Sequence, residues 1–151
     1  MMMRILSVWT LMAVLAAAPA TAQQVSDDTM NEFQRQVNGQ LDDAQAVLEQ
    51  EGYVQVSRYI GASGLGETES HEQELQLEAN YDYVITAVCD SDCADLDLVL
   101  YASGNEVARD TESDAYPILS LRPNAIAHQI EVIMYGCEAE PCYYGFGVFR
   151  Q

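Results

Sequence analysis

The chain changes its hydrophobic period once. From Ser26 to about Gln50, apolar side chains fall at Met30, Phe33, Val37, Leu41, Ala44 and Leu48, the spacing of a single helix face. Ser26 stands where an N-cap is expected. Asp27 and Asp28 suit the positive end of the helix dipole, and Gly52 is a natural stop. Asn38-Gly39 is a weak point at which the helix would kink or split. The apolar stripe has to be covered, either by the domain that follows or by a partner helix or dimer seam.

After Gly52 the period becomes two. Strands are predicted over Tyr53–Tyr59, His71–Glu78, Tyr81–Cys89, Asp95–Tyr101, Glu106–Asp110, Tyr116–Leu121, His128–Gly136 and Tyr143–Arg150, with Gly, Asn and Pro turn signals between them. The alternation is clearest in Asp95-Leu96-Asp97-Leu98-Val99-Leu100, where the leucines share the inward face and the aspartates the outward one. Leu75 and Leu77 repeat the pattern, as do Ile130, Val132 and Met134. The predicted fold is all-β, an antiparallel β-sandwich or jelly roll of about eight strands preceded by one N-terminal amphipathic α-helix.

What precedes the helix reads as a secretory signal peptide, residues 1–22. Arg4 supplies the positive charge, Ile5 to Ala18 the apolar run, and Ala20-Thr21-Ala22 the small-residue cleavage site. The remaining 129 residues divide into a helical segment, 23–52, and a β-domain, 53–151, with no later stretch of membrane-spanning length. Without Arg4, five arginines and no lysine stand against 24 acidic residues, a formal charge of −19. Such a surface repels nucleic acid and anionic lipid and attracts cations and basic partners. The chain is expected to be exported, to the periplasm or beyond. There its four cysteines, Cys89, Cys93, Cys137 and Cys142, would form two disulfides. Pairing of near neighbours closes two small loops; a cross-loop pairing is the alternative. The spacings suit neither a zinc site nor a Cys-x-x-Cys redox pair.

Several segments occur in a familiar order: Gly64-Leu65, His71 with Leu75-Gln76-Leu77, Tyr81-Asp82-Tyr83, Asp95-Leu96-Asp97-Leu98-Val99-Leu100-Tyr101, Gly104-Asn105-Glu106-Val107-Ala108 and Tyr144-Gly145-Phe146-Gly147-Val148. Over Tyr53 to Arg150 the chain resembles the bacterial pre-peptidase C-terminal domain, a small β-sandwich appended to secreted proteases and other exported enzymes. It departs from that pattern at Ala79-Asn80, where the family often has glycine, and at His128-Gln129-Ile130, where a Gly-Tyr pair is common. The resemblance implies an accessory module, because the family's enzymes carry their catalysis in a separate domain.

If the strands from Tyr81 onward run simply up and down, the two cysteine loops lie at one end of the sandwich. That gathers Asp90, Asp92, Asp95, Glu138 and Glu140, with Asp97 a little further down its strand, into a candidate calcium region. The spacing is not that of an EF-hand, and solvated, mutually repelling carboxylates are the ordinary state of such residues. His71 and His128 are expected to be surface or hydrogen-bonded structural residues. No Gly-x-Ser-x-Gly and no His-Glu-x-x-His occurs. The nine tyrosines raise the question of a sugar-stacking platform, but the single tryptophan, Trp9, lies in the signal segment. The leading expectation is therefore an exported, non-catalytic module that binds a protein or polysaccharide partner at the envelope or outside the cell. A calcium-dependent binding module is the second reading, and a small hydrolase with an acidic site the third.

Overall fold

The structure is a computed structural model and describes residues 25–151; the signal segment lies outside the described residues. Among the described residues, eight strands form two antiparallel sheets. They are β1 (Val54–Ile60), β2 (Ser70–Gln76), β3 (Tyr83–Cys89), β4 (Cys93–Ala102), β5 (Asn105–Asp110), β6 (Ile118–Leu121), β7 (Ala127–Cys137) and β8 (Tyr144–Arg150). One sheet has the order β1-β8-β3-β6, the other β2-β7-β4-β5. The inward faces meet in a core that includes Ile85, Leu96, Leu98, Leu100, Ile130, Val132, Met134, Phe146 and Val148. The sandwich and its leading helix are thus those the hydrophobic pattern predicts. The order of the strands is different. Only β4 and β5 are both consecutive in sequence and paired; elsewhere from β3 onward, successive strands change sheets.

Helix α1 (Glu32–Gln50) runs unbroken through Asn38-Gly39. It starts later than Ser26, whose hydroxyl is engaged with Thr29 in a separate single turn, Asp27–Thr29. The cap is Asn31, and it is reciprocal. Asn31 Oδ1 accepts from the Gln34 N–H at 2.9 Å, while Gln34 Oε1 accepts from the Asn31 N–H at 2.9 Å. The Gln34 amide is buried and also donates to the Gly61 carbonyl at 2.8 Å, so the cap anchors the helix to the loop after β1.

The apolar stripe is covered by the chain's own sheet. Val37 and Leu41, with Met30 just before the helix, pack with Ile60 and Val88 in a second core on the outer face of the first sheet. This explains the seven-residue run of β3, Tyr-Val-Ile-Thr-Ala-Val-Cys, which does not alternate: helix lies on one side and sandwich core on the other, and all seven residues are buried. Close contact needs a small residue beneath the helix. A Cβ at Gly145 of β8 would lie 2.7 Å from the Tyr59 carbonyl oxygen and 2.9 Å from Val37 Cγ1. Arg58 of β1 ties the other flank, donating to Asn38 Oδ1 at 2.8 Å and Asp42 Oδ1 at 2.6 Å.

The same substitution at two glycines should therefore have opposite signs. Gly39 is exposed with nothing within 4 Å of a built Cβ. Gly39→Ala should raise the unfolding free energy by about 0.5–1 kcal/mol. Gly145→Ala should lower it by about 1–3 kcal/mol. Denaturant unfolding of the two variants measures both.

Candidate functional site

Both disulfides join near neighbours, Cys89 to Cys93 and Cys137 to Cys142. Each closes a loop that carries the chain from one sheet to the other, β3 to β4 and β7 to β8. Cys93 faces Cys137 in the β4–β7 ladder, so the loops are neighbours at one end of the sandwich, as expected. Asp90 joins them. Its side chain is buried, with Oδ2 accepting from the Tyr143 N–H at 2.7 Å and Oδ1 from the Asp92 N–H at 3.2 Å. Its own N–H donates to the Tyr143 carbonyl at 2.9 Å, and the Glu138 N–H donates to the Asp92 carbonyl at 2.7 Å. Burial pushes the Asp90 carboxyl above its ordinary pKa, and the two backbone donors work against that rise.

The six acidic residues of the candidate calcium region therefore divide among three places. Asp90 and Asp92 belong to the junction between the two loops, where Glu138 contributes its backbone. Glu140 turns away to accept from the Glu67 N–H at 2.7 Å, and helps dock the segment after β1. That segment is held closely, since Leu65 and Cys142 exchange two backbone hydrogen bonds of 2.9 Å and a Cβ at Gly64 would lie 2.7 Å from the Cys142 oxygen. Asp95 and Asp97 lie on β4 and face a different set of charges. Among the described residues, no three Asp, Glu, His or Cys side chains come together in a way that could hold a metal ion.

Asp97 is the most perturbed of the six. It is only 6 % exposed, and its pKa rises from 3.8 to about 6, first through burial and then through repulsion from Asp95, Asp110 and Asp114. Asp95 adds a buried Oδ1 with no hydrogen-bond partner. The last two members were missed from the sequence. Asp110 arrives because β5 folds back along β4, placing it opposite Leu98, and Asp114 because its carbonyl accepts from the Leu96 N–H at 2.9 Å. The signal was the Gly104-Asn105 turn, which implies a hairpin whose far end returns to Asp97.

A second region lies along the side of the sandwich where β1 and β2 form the edges of their sheets. A groove of about 480 Å³ runs between them, floored by Leu75, Leu77 and Val148 and rimmed by Val56, Glu74 and Arg150. A smaller hollow of about 180 Å³ shares its Ser57, Glu74 and Leu75 and reaches Tyr59 and Phe146. Deeper on the same side, His71 stacks on Tyr59 with ring centroids 5.0 Å apart, and both imidazole nitrogens are buried without a hydrogen-bond partner. Burial lowers the His71 pKa, against the opposing charge of Glu72. The expectation of a surface or hydrogen-bonded role thus fails for His71. His128 is a buried structural residue with Nδ1 3.3 Å from the Ile126 oxygen. Tyr59, Tyr83 and Tyr144 are buried in the core, Tyr143 stacks with Phe33, and Arg150 lies over the Tyr81 ring.

In comparisons with protein-family models and with curated proteins, the chain matches none. No helix among the described residues is long and apolar enough to cross a membrane.

The Asp97 cluster sets a definite pH dependence. The folded pKa lies above the unfolded one, so the ionised form is disfavoured in the fold, and stability falls as pH rises from about 4 through about 6. Asp97→Asn should raise the melting temperature at pH 8 by about 2–6 °C and lose that advantage near pH 4. A lower melting temperature for the variant at pH 8, matched in the parent protein by adding a calcium chelator, would show the carboxylates holding a cation instead.

Proposed function

We propose that this protein is an exported, non-catalytic β-sandwich module, of the pre-peptidase C-terminal type, that binds a protein partner at the cell envelope or outside the cell. The observation that carries this reading is the groove between the free edges of β1 and β2. Its lining joins the apolar Val56, Leu75, Leu77 and Val148 to the charged Glu74, Glu78 and Arg150 beside two edge strands, materials that hold another chain. Asp90 and Glu140, which the sequence offers for chemistry, accept backbone hydrogen bonds within the fold. The two disulfides agree with an oxidising compartment.

The partner would be basic where it meets this surface. Four arginines are paired with Asp42, Glu106, Asp82 and Glu78, and Arg35 donates to the Met30 carbonyl, so positive charge is largely satisfied internally while most carboxylates face outward.

The test is affinity capture with the oxidised protein from the envelope and secreted fractions of its own source, followed by a stability assay on what is retained. A specific exported protein should be retained, and its melting temperature should rise in the complex. Turnover of a peptide or glycoside by the purified protein alone, with nothing retained, would overturn the proposal.

A further inference from the structure

Resting on that reading, we infer that the free edge of β2 is a docking strand for an extended partner segment in which apolar and basic residues alternate. The edge is regular. β2 pairs with β7 without a break from Ser70↔Ile133 to Gln76↔Ala127, and it is the last strand of its sheet. The Leu77 N–H goes to the Ile126 carbonyl. By the alternation of an antiparallel ladder, the backbone groups of Ser70, Glu72, Glu74 and Gln76 therefore point outward, away from β7. The opposite edge, on β1, is less suitable, because its register shifts between Gln55 and Ser57 and such a bulge twists a strand away from new partners.

The side chains define the occupant. Along β2 the odd positions His71, Gln73 and Leu75 face inward, and Ser70, Glu72, Glu74 and Gln76 are exposed. Glu72 is held by the neutral amide of Gln129 at 2.8 Å, and neither Glu72 nor Glu74 is among the carboxylates paired with arginine. A strand laid against this edge would place lysines or arginines beside the two glutamates. Its alternate residues would enter the groove over Leu75, Leu77 and Val148. Arg58 and Arg150, the cations near the groove, are already neutralised by Asp42 and Glu78. A second copy of this chain does not fit, since β2 against β2 sets glutamate near glutamate on molecules of charge −18.

The probe is a synthetic heptapeptide, Lys-Val-Lys-Leu-Lys-Val-Lys. Its controls are the same composition without alternation, Lys-Lys-Val-Val-Lys-Lys-Leu, and the charge-reversed Glu-Val-Glu-Leu-Glu-Val-Glu. Two variants test the edge. Glu72→Pro removes an outward N–H and leaves the bonds to β7 in place, and Glu72→Lys with Glu74→Lys reverses the charge. The alternating peptide should slow amide exchange at Ser70, Glu72, Glu74 and Gln76, and each variant should weaken it by roughly tenfold or more. The melting temperature of each variant confirms that it is folded. Equal binding of the scrambled peptide, absence of binding, protection confined to other amides, or a dimer abolished by Glu72→Pro would each overturn the inference. Its failure is separable from that of the module reading: if the edge variants capture the exported partner as well as the parent does, the module stands and the β2 edge is not its docking strand.

Discussion

The junction at Asp90 is the constraint on which the rest of the sandwich depends. Two loops cross between the sheets side by side, each closed by its own disulfide, yet no disulfide joins one loop to the other. That connection is a buried carboxylate accepting from two backbone N–H groups, one in each loop, reinforced by backbone bonds between Asp90 and Tyr143 and between Asp92 and Glu138. A charge-assisted bond of this kind is worth about 1.5–3 kcal/mol, and the burial of the charge offsets part of that. Burial and the neighbouring Asp92 charge raise the Asp90 pKa, and the two backbone donors lower it. The junction holds the two loops against each other just where the chain passes from β3 to β4 and from β7 to β8.

From that closed end the molecule becomes progressively more open. The outer face of the first sheet is covered by α1, held by Val37 and Leu41 over Gly145 and by the bonds of Gln34 and Arg58. The side bounded by β1 and β2 has no such cover. Edge strands left open invite association, and proteins commonly protect them with bulges and charge. Both devices are present, the bulge at Val56 on β1 and the glutamates on β2. Protection by charge alone is selective, because it repels acidic strands and accepts basic ones. The proposed docking edge is thus the side that α1 leaves uncovered, while Asp90 and Glu140 accept backbone hydrogen bonds within the fold.

What could be read in advance follows the range of the interactions concerned. The helix, the strands and the sandwich were legible because periods of 3.6 and two are local, and the disulfides because near-neighbour closure is local too. The helix start was misplaced although Asn31 and Gln34 carry a capping box in plain view, since Met30 fits the apolar stripe and draws the helix back toward Ser26. Strand order was not legible. Whether a strand pairs with its predecessor or crosses to the other sheet depends on which faces bury together, and alternation within one strand does not say. Asp110 reaches Asp97 through the β4–β5 hairpin that the Gly104-Asn105 turn signals, whereas the candidate calcium region grouped Asp97 and Glu140 with loop residues although their neighbours lie elsewhere. His71 shows the limit at a single residue, for a polar side chain on an edge strand is expected in solvent, whereas stacking on Tyr59 holds it inside.

The most direct test of a closed loop junction and an open β2 edge is native-state amide hydrogen exchange of the oxidised protein, resolved by residue. The account predicts that the Tyr143 and Asp92 amides exchange only with global unfolding, whereas those of Glu72 and Glu74, which point away from β7, exchange many times faster without any opening of the fold. Rapid exchange at Tyr143 together with protection at Glu72 and Glu74 would contradict it, since the loops would then not be clasped and the β2 edge would already be covered.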